Sequence, residues 1–455
     1  MHRNFHRILL SFLALGSALL AQDTRKVTEP VLPKSCTVLA AALTATGGQL
    51  VEADEAKLDT ERLQKALDNC AKGQAVELAS AGAANSFLAG RFSIPEGVTL
   101  LVDKGVTLYA SRNPKEYDDG SGRCGTVDEK GKACKNWISI NSHNTAIMGD
   151  GVVDARGGSK ILGKEETWWQ IARRAQKEGA RQNCFRMINA NQADGFILYR
   201  ITLKNSPNFH VDVARTDGFT AWGVKIDTPA DARNTDGIDP SGSKNVTITH
   251  SYIRTGDDNI AMKAGSTGPM QNVSIVHNNF YYGHGMSIGS ETSAGVSNVL
   301  VEDLSLDGTT AGIRIKSDST RGGVVENLLY KNICMRSTKN PIEITPFYEG
   351  NKGGDKLPTY RRIFLEGIHS LTPGKLTFAA LDAEHAFSVV LNGVQIDGQK
   401  PTEIRAQFGQ VFVGPGKTNL NITGTGVTLS NVKEDAAAVP ECRADRFPEF
   451  PVTPQ

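Results

Sequence analysis

Four short groups in the middle of the chain hold the residues best suited to chemistry: Asn234-Thr-Asp236-Gly-Ile-Asp239, Gly256-Asp257-Asp258-Asn, Gly283-His284-Gly285 and Arg314-Ile-Lys316. Carboxylates crowded together cannot all ionise cheaply, so one gains proton affinity and can act as an acid while another stays ionised. A cluster of this kind titrates as a unit. One protonated and one ionised carboxyl are what the hydrolysis of a glycosidic bond requires. Arg314 and Lys316 point the same way along a strand, and a guanidinium grips a carboxylate with two parallel bonds, so the substrate is expected to be acidic. Singly, each group has a plain structural explanation. Paired aspartates and Asp239 before Pro240 serve turns, and alternating cations suit a solvated strand. Their value depends on being brought together.

An internal repeat supplies the means. An Asn followed by an alternating apolar strand recurs at Asn245, Asn272, Asn298 and Asn327, with spacings of 27, 26 and 29. Earlier turns open at Asp194-Gly-Phe and Asp217-Gly-Phe, and weaker ones run through Leu365 and Val389 to Leu429. A period in the twenties with several short strands and no amphipathic helix per unit predicts an all-β parallel β-helix. No leucine-rich frame persists to support the rival solenoid. Stacked coils bury Val, Ile and Leu in one continuous core, with strand on strand at ~4.8 Å. Residues at equal phase then form columns on the surface. Asp257 and His284 each follow their coil's opening Asn by 12 residues, and Asp236 precedes Asp257 by 21, so all are expected in neighbouring coils. Side chains one strand apart, with room for a water between them, suit inverting hydrolysis.

The ends of the chain read differently. His2, Arg3, His6 and Arg7 precede an apolar run from Ile8 to Leu20, the pattern of a secretory signal peptide over residues 1–21, cleaved after Ala18 or Ala21. That run is too short to span a bilayer, and no other stretch would. A segment 22–58 follows, then a parallel β-helix catalytic domain over 59–433 and a tail over 434–455. Leu63, Ala66, Leu67 and Cys70 repeat at helical spacing behind Asp59 or Thr60 and end at Gly73, which predicts a helix capping the open end of the solenoid. Residues Ile161–Asn183, with Trp168 and Trp169, read as an excursion able to rim one end of a groove.

Without residues 1–21, which carry Arg3 and Arg7, the chain has 50 − 2 = 48 basic against 49 acidic residues. That balance disfavours a nucleic-acid partner. Seven cysteines in an exported chain predict disulfides with one thiol left over. Cys36 with Cys70 and Cys124 with Cys134 are the expected pairs. The Asn-x-Ser/Thr sequences at Asn245, Asn272 and Asn421 fall at coil openings and are read as strand entries rather than glycosylation sites.

Taken in order, the four groups resemble the signature of the polygalacturonases and relatives of glycoside hydrolase family 28. Asn205-Ser-Pro-Asn-Phe-His210 and Tyr348, after Asn340-Pro-Ile-Glu-Ile, extend the likeness from about Thr60 to Tyr348. The resemblance implies a right-handed parallel β-helix and a secreted or periplasmic monomer that hydrolyses pectin or polygalacturonate with no metal and no cofactor. It implies Asp257 as the acid, Asp236 and Asp258 as holders of the attacking water, and His284 as support for the acid. Arg314, Lys316, Tyr348 and Asn234 would bind the galacturonate, with Lys263 as a further contact or a structural lysine. The cysteine usual after the His210 segment is missing, where Val211, Val213 and Ala214 stand. Rhamnogalacturonan or xylogalacturonan hydrolysis, elimination by a calcium-dependent pectate lyase, and a non-catalytic polysaccharide binder remain as alternatives.

Overall fold

The computed structural model describes residues 22–350 and 353–451. The expected signal peptide lies outside them. Within the described part the chain winds as a parallel β-helix in which each coil pairs with the one before and after it through parallel strands. The sheet that matters here contains β1 (Val211–Ala214), β2 (Ile238–Ser241), β3 (Ile260–Met262), β4 (Met286–Ile288), β5 (Ala311–Lys316) and β6 (Asn340–Thr345).

The pattern of apolar residues dictates the winding. Val211, Ile238, Ile260, Met286, Ile313 and Ile342 stand directly above one another and are fully buried. Since side chains alternate along a strand, the next position in each coil faces outward, giving a column of Asp212, Asp239, Ala261, Ser287, Arg314 and Glu343. Asp239 was expected in a turn. It instead lies within β2, level with Asp212 and buried, because the Asp-Pro step falls on the sheet and not beyond it.

The repeated asparagines have a double reason. Asn245, Asn272, Asn298 and Asn327 adopt φ of 54, 57, 59 and 58°, the left-handed region that Asn tolerates better than most residues. Their amides also stack, each donating to the one below: Asn272 Nδ2 to Asn245 Oδ1 at 3.4 Å, Asn298 to Asn272 at 3.0 Å and Asn327 to Asn298 at 2.5 Å. Asn245 and Asn272 thus serve the turns, as read from the sequence.

Helix α1 (Thr60–Asp68) closes the first coils, burying Leu63 and Leu67. It stops at Asp68 rather than Gly73, and Asp59 does not cap it with its side chain; that carboxylate accepts from Leu88 N at 2.8 Å and Arg62 Nε at 2.6 Å instead. The ladder starts with Ser35–Ala40, paired to Ala75–Ala79, earlier than residue 59. Helix α2 (Trp168–Glu178) is the expected excursion. It is held by a capping box at Thr167 and Gln170, and Trp168 packs edge-on against Tyr117 and Phe185.

Both expected disulfides are present, and a third joins Cys334 to Cys442 across 108 residues; Cys184 is free. That third bridge fastens the tail to the outside of the helix. Substituting Cys442 by Ala is expected to lower stability by about 2 to 4 kcal/mol, read as a lower urea midpoint. An unchanged midpoint would show that the tail contributes nothing to the folded state.

Candidate active site

The four groups converge on the outward side of β2 to β5, contributed by successive coils. Counting back two residues from the Ile238–Ile260 and Ile260–Met286 pairings sets Asp236, Asp258 and His284 in one column. Asp257 and His284 are near neighbours as expected, although the residue in strict register with His284 is Asp258. From the opening Asn to the sheet there are 15 residues in one coil (Asn245 to Ile260) and 14 in the next (Asn272 to Met286). Asp257 nevertheless meets His284 from the adjoining turn, with Oδ1 3.1 Å from Nδ1.

Asp258 is the centre of the arrangement. Lys316 Nζ donates to its Oδ2 at 2.6 Å, while Oδ1 accepts from Ser287 Oγ at 2.7 Å and from Arg314 Nη1 at 3.3 Å. Burial alone would raise its proton affinity, but Lys316 and Arg314 outweigh that and hold it below the ordinary carboxylate value. The side chains of Asp257 and His284 are 19% and 35% exposed, against 3% for Asp258 and 5% for Lys316. So the Asp257–His284 pair faces incoming molecules, and Asp258 with Lys316 lies beneath it. Asp257 is pushed up by burial but drawn well below its ordinary range by the His284 hydrogen bond and charge and by Lys316.

Asp236 behaves in the opposite way. Burial, then the charges of Asp239 and Asp257, raise its proton affinity well above normal. Its Oδ1 is buried without a hydrogen-bond partner, and Lys263 Nζ stands 3.7 Å from Oδ2. His210 fixes its backbone: Nδ1 donates to the Asp236 carbonyl at 2.9 Å, and Nε2 lies 2.7 Å from Thr228 Oγ1. Burial lowers the His210 pKa to about 4, so the ring is neutral.

The glycines flanking His284 are required by close approach. Gly285 has φ of 75°, and a Cβ there would lie 2.1 Å from the Ala311 carbonyl oxygen. Asn259, buried beneath, ties the loop by accepting from Gly285 N at 2.8 Å and donating to the Tyr282 carbonyl at 3.0 Å.

The remaining predicted residues are placed as follows. Tyr348 lies beside the cations, its ring centroid 5.4 Å from Arg314 and 4.8 Å from Lys316. Asn234 is half-buried with φ of 57°, and its Oδ1 accepts from Arg233 at 2.6 Å and Gln182 at 3.3 Å. Lys263 does not stand free for a ligand: its Nζ is 2.7 Å from Asp239 Oδ2 and 4.4 Å from the Phe209 ring centroid. Sequence reasoning missed Ser287 and Glu343, the latter accepting from Arg314 Nε at 2.8 Å. The column of Ser287, Arg314 and Glu343 would have revealed both.

Asp257, Asp258 and His284 present ligand atoms within 4.8 Å of one another. Asp258 is already committed to Lys316, Arg314 and Ser287, so a metal ion would have to displace a buried ammonium. The donor set does not fit one.

A parallel β-helix whose one sheet gathers acids of opposite proton affinity beside an imidazole and two cations has the architecture and chemistry of a polysaccharide-cleaving enzyme. The chain belongs to the glycosyl hydrolases family 28, whose model matches residues 81–410. It is 44% identical to an endo-polygalacturonase of Pectobacterium carotovorum subsp. carotovorum, over 87% of this chain and 95% of that one. A polygalacturonase of Ralstonia solanacearum is 38% identical, over 94% of this chain and 91% of the other. The solved polygalacturonase from Erwinia carotovora ssp. carotovora superposes with a TM-score of 0.77 at 41% identity, over 84% of this chain and 99% of that one. No helix among the described residues is long and apolar enough to cross a membrane.

Proposed function

We propose that the protein is a secreted monomeric polygalacturonase that cleaves α-1,4-galacturonosyl linkages within the chain by inverting hydrolysis. The observation that carries this is the partly exposed Asp257–His284 pair standing over an Asp258 clamped by Lys316 and Arg314. Cleavage within the chain is supported by the endo-polygalacturonase name of the Pectobacterium relative. Three disulfides favour action outside the cytoplasm.

In this reading Asp257 protonates the leaving oxygen, and Asp236 with Asp258 holds the water. The free protein has the protons arranged otherwise, with Asp257 ionised and Asp236 of high proton affinity. Substrate resolves the conflict. A galacturonate carboxylate set against Arg314, with Tyr348 and Asn234 lining its approach, offsets the cations that keep Asp257 ionised and raises its proton affinity. The same binding brings the leaving oxygen within reach, so the acid forms where it is needed.

Incubation with polygalacturonate, following product length and anomeric configuration by proton NMR, tests the reading. Short oligomers with inverted configuration are expected. Net retention would refute the water between carboxylates, and unsaturated, ultraviolet-absorbing ends would make the protein a lyase.

A further inference from the structure

Lys263 is a buried cation between two buried acids. Its Nζ lies 2.7 Å from Asp239 Oδ2, 3.7 Å from Asp236 Oδ2 and 4.4 Å from the centroid of Phe209, with 19% of the side chain exposed. Asp239 is 1% exposed, and neither of its oxygens meets a donor in hydrogen-bonding geometry, so Lys263 is what compensates its charge. A buried carboxylate without such a cation would be costly. The strand pairing explains the placement: Lys263 stands level with Ser241, one coil along from the strand that carries Asp239. Asp239 therefore anchors the ammonium, and the anchored ammonium leans on Asp236.

Asp236 needs it. The groups acting on this carboxylate are Asp239, Asp257 and Asp258, all acidic, and Lys263, the cation among them. Lys263 is influenced further by Glu291, and Asp239 by Asp258 and by Asp212, which is itself paired to Arg186. Asp236 Oδ2 faces the ammonium, while Oδ1 is buried without a hydrogen-bond partner.

We propose that Lys263 is a positioning residue rather than a substrate contact: held by Asp239, it supplies the cation that opposes protonation of Asp236 and fixes the orientation of its carboxylate. The inference rests on the water-holding role given to Asp236 above. It also assigns Asp239 a task, as the anchor without which the ammonium could swing out to solvent. Burial raises the proton affinity of Asp236, and Lys263 works against that rise, so removing the ammonium must move the ionisation of Asp236 to higher pH.

Four variants test it: Lys263→Met, Lys263→Arg, Asp239→Asn and the double Lys263→Met/Asp239→Asn. In Lys263→Met, kcat on polygalacturonate should fall by roughly 10² with KM nearly unchanged. The acid limb of its kcat–pH profile should move up by about one unit or more. Lys263→Arg should recover part of kcat and return the acid limb toward its original position. The double variant removes the cation together with its anchor, leaves no unpaired charge at Asp239, and should be faster than Lys263→Met. It also provides a folded protein if the single variant fails to fold. Carbon-13 titration of the Asp236 carboxyl in wild type, Asp239→Asn and the double variant reads the coupling without substrate. A raised KM at unchanged kcat in Lys263→Met would make Lys263 a substrate contact and overturn the proposal, as would an unmoved acid limb or an Asp236 titration identical in Asp239→Asn and the double variant. If the wild type leaves polygalacturonate intact, the proposed function falls, and the titration alone decides for or against Lys263.

Discussion

Replacing Asp257 by Asn is expected to reduce kcat on polygalacturonate by roughly 10² to 10⁴ while the melting temperature stays within about two degrees of wild type. Asp257 is the proposed proton donor, and loss of such a group forfeits the contribution of acid catalysis. The fold loses little. The Asn side chain has the same shape, its carbonyl oxygen can still accept from Asp258 N as Oδ1 does at 2.9 Å, and the inner column of β3 is untouched. Reducing-end release and thermal melts check the two halves separately. Equal rates would return the protein to the class of non-catalytic binders. A large drop in melting temperature would mean that the variant reports folding instead of chemistry.

Lys316→Met is expected to act mainly on stability, costing about 3 to 5 kcal/mol near neutral pH. The variant strands a carboxylate that is 2% exposed, leaving Arg314 at 3.3 Å and the His284 ring at 3.9 Å beside it. The pH dependence follows from the direction of the shifts. In the wild type the Asp258 pKa is depressed, so its stabilising contribution is complete above the unfolded value of about 4 and is lost as pH falls through the lower, folded value. Without Lys316 the folded pKa rises, and the deficit relative to wild type is largest above about pH 4. Once pH has fallen through the lower, folded value of the wild type, both proteins bury a neutral Asp258 and the gap narrows. Urea titrations at neutral and acid pH measure this; a deficit that grows on acidification would contradict the assignment of Lys316 as the partner of Asp258.

How far the sequence could be read depended on whether a feature is periodic. The β-helix was legible because Asn245, Asn272, Asn298 and Asn327 repeat for a backbone reason, a left-handed turn closed by an amide stack. The gathering of Asp236, Asp258, His284, Arg314 and Lys316 followed from that period. Features set by the exact length of a turn did not. One residue fewer between Asn272 and β4 than between Asn245 and β3 shifts Asp257 out of the column, and no count from opening asparagines could show it. Asp239 was misread because Pro240 suggests a turn where the ladder in fact continues. The Cys334–Cys442 bridge was illegible because it joins an outward cysteine of one coil to a tail that belongs to no repeat.

The clamp on Asp258 also imposes an order on the making of the molecule. A chain emerging from its N-terminus delivers Asp236, Asp257 and Asp258 first, and Lys316 arrives 58 residues after Asp258. Until then a coil that closed over Asp258 would enclose an anion still lacking that cation, a state whose energy opposes closure. The coils before β3 can stack as they appear, whereas the seam at the acids is secured only when two further coils have been wound on top. The ion pairs at Asp258 thus couple closure of this seam to the arrival of later coils, since a chain truncated before residue 314 would lack both Arg314 and Lys316.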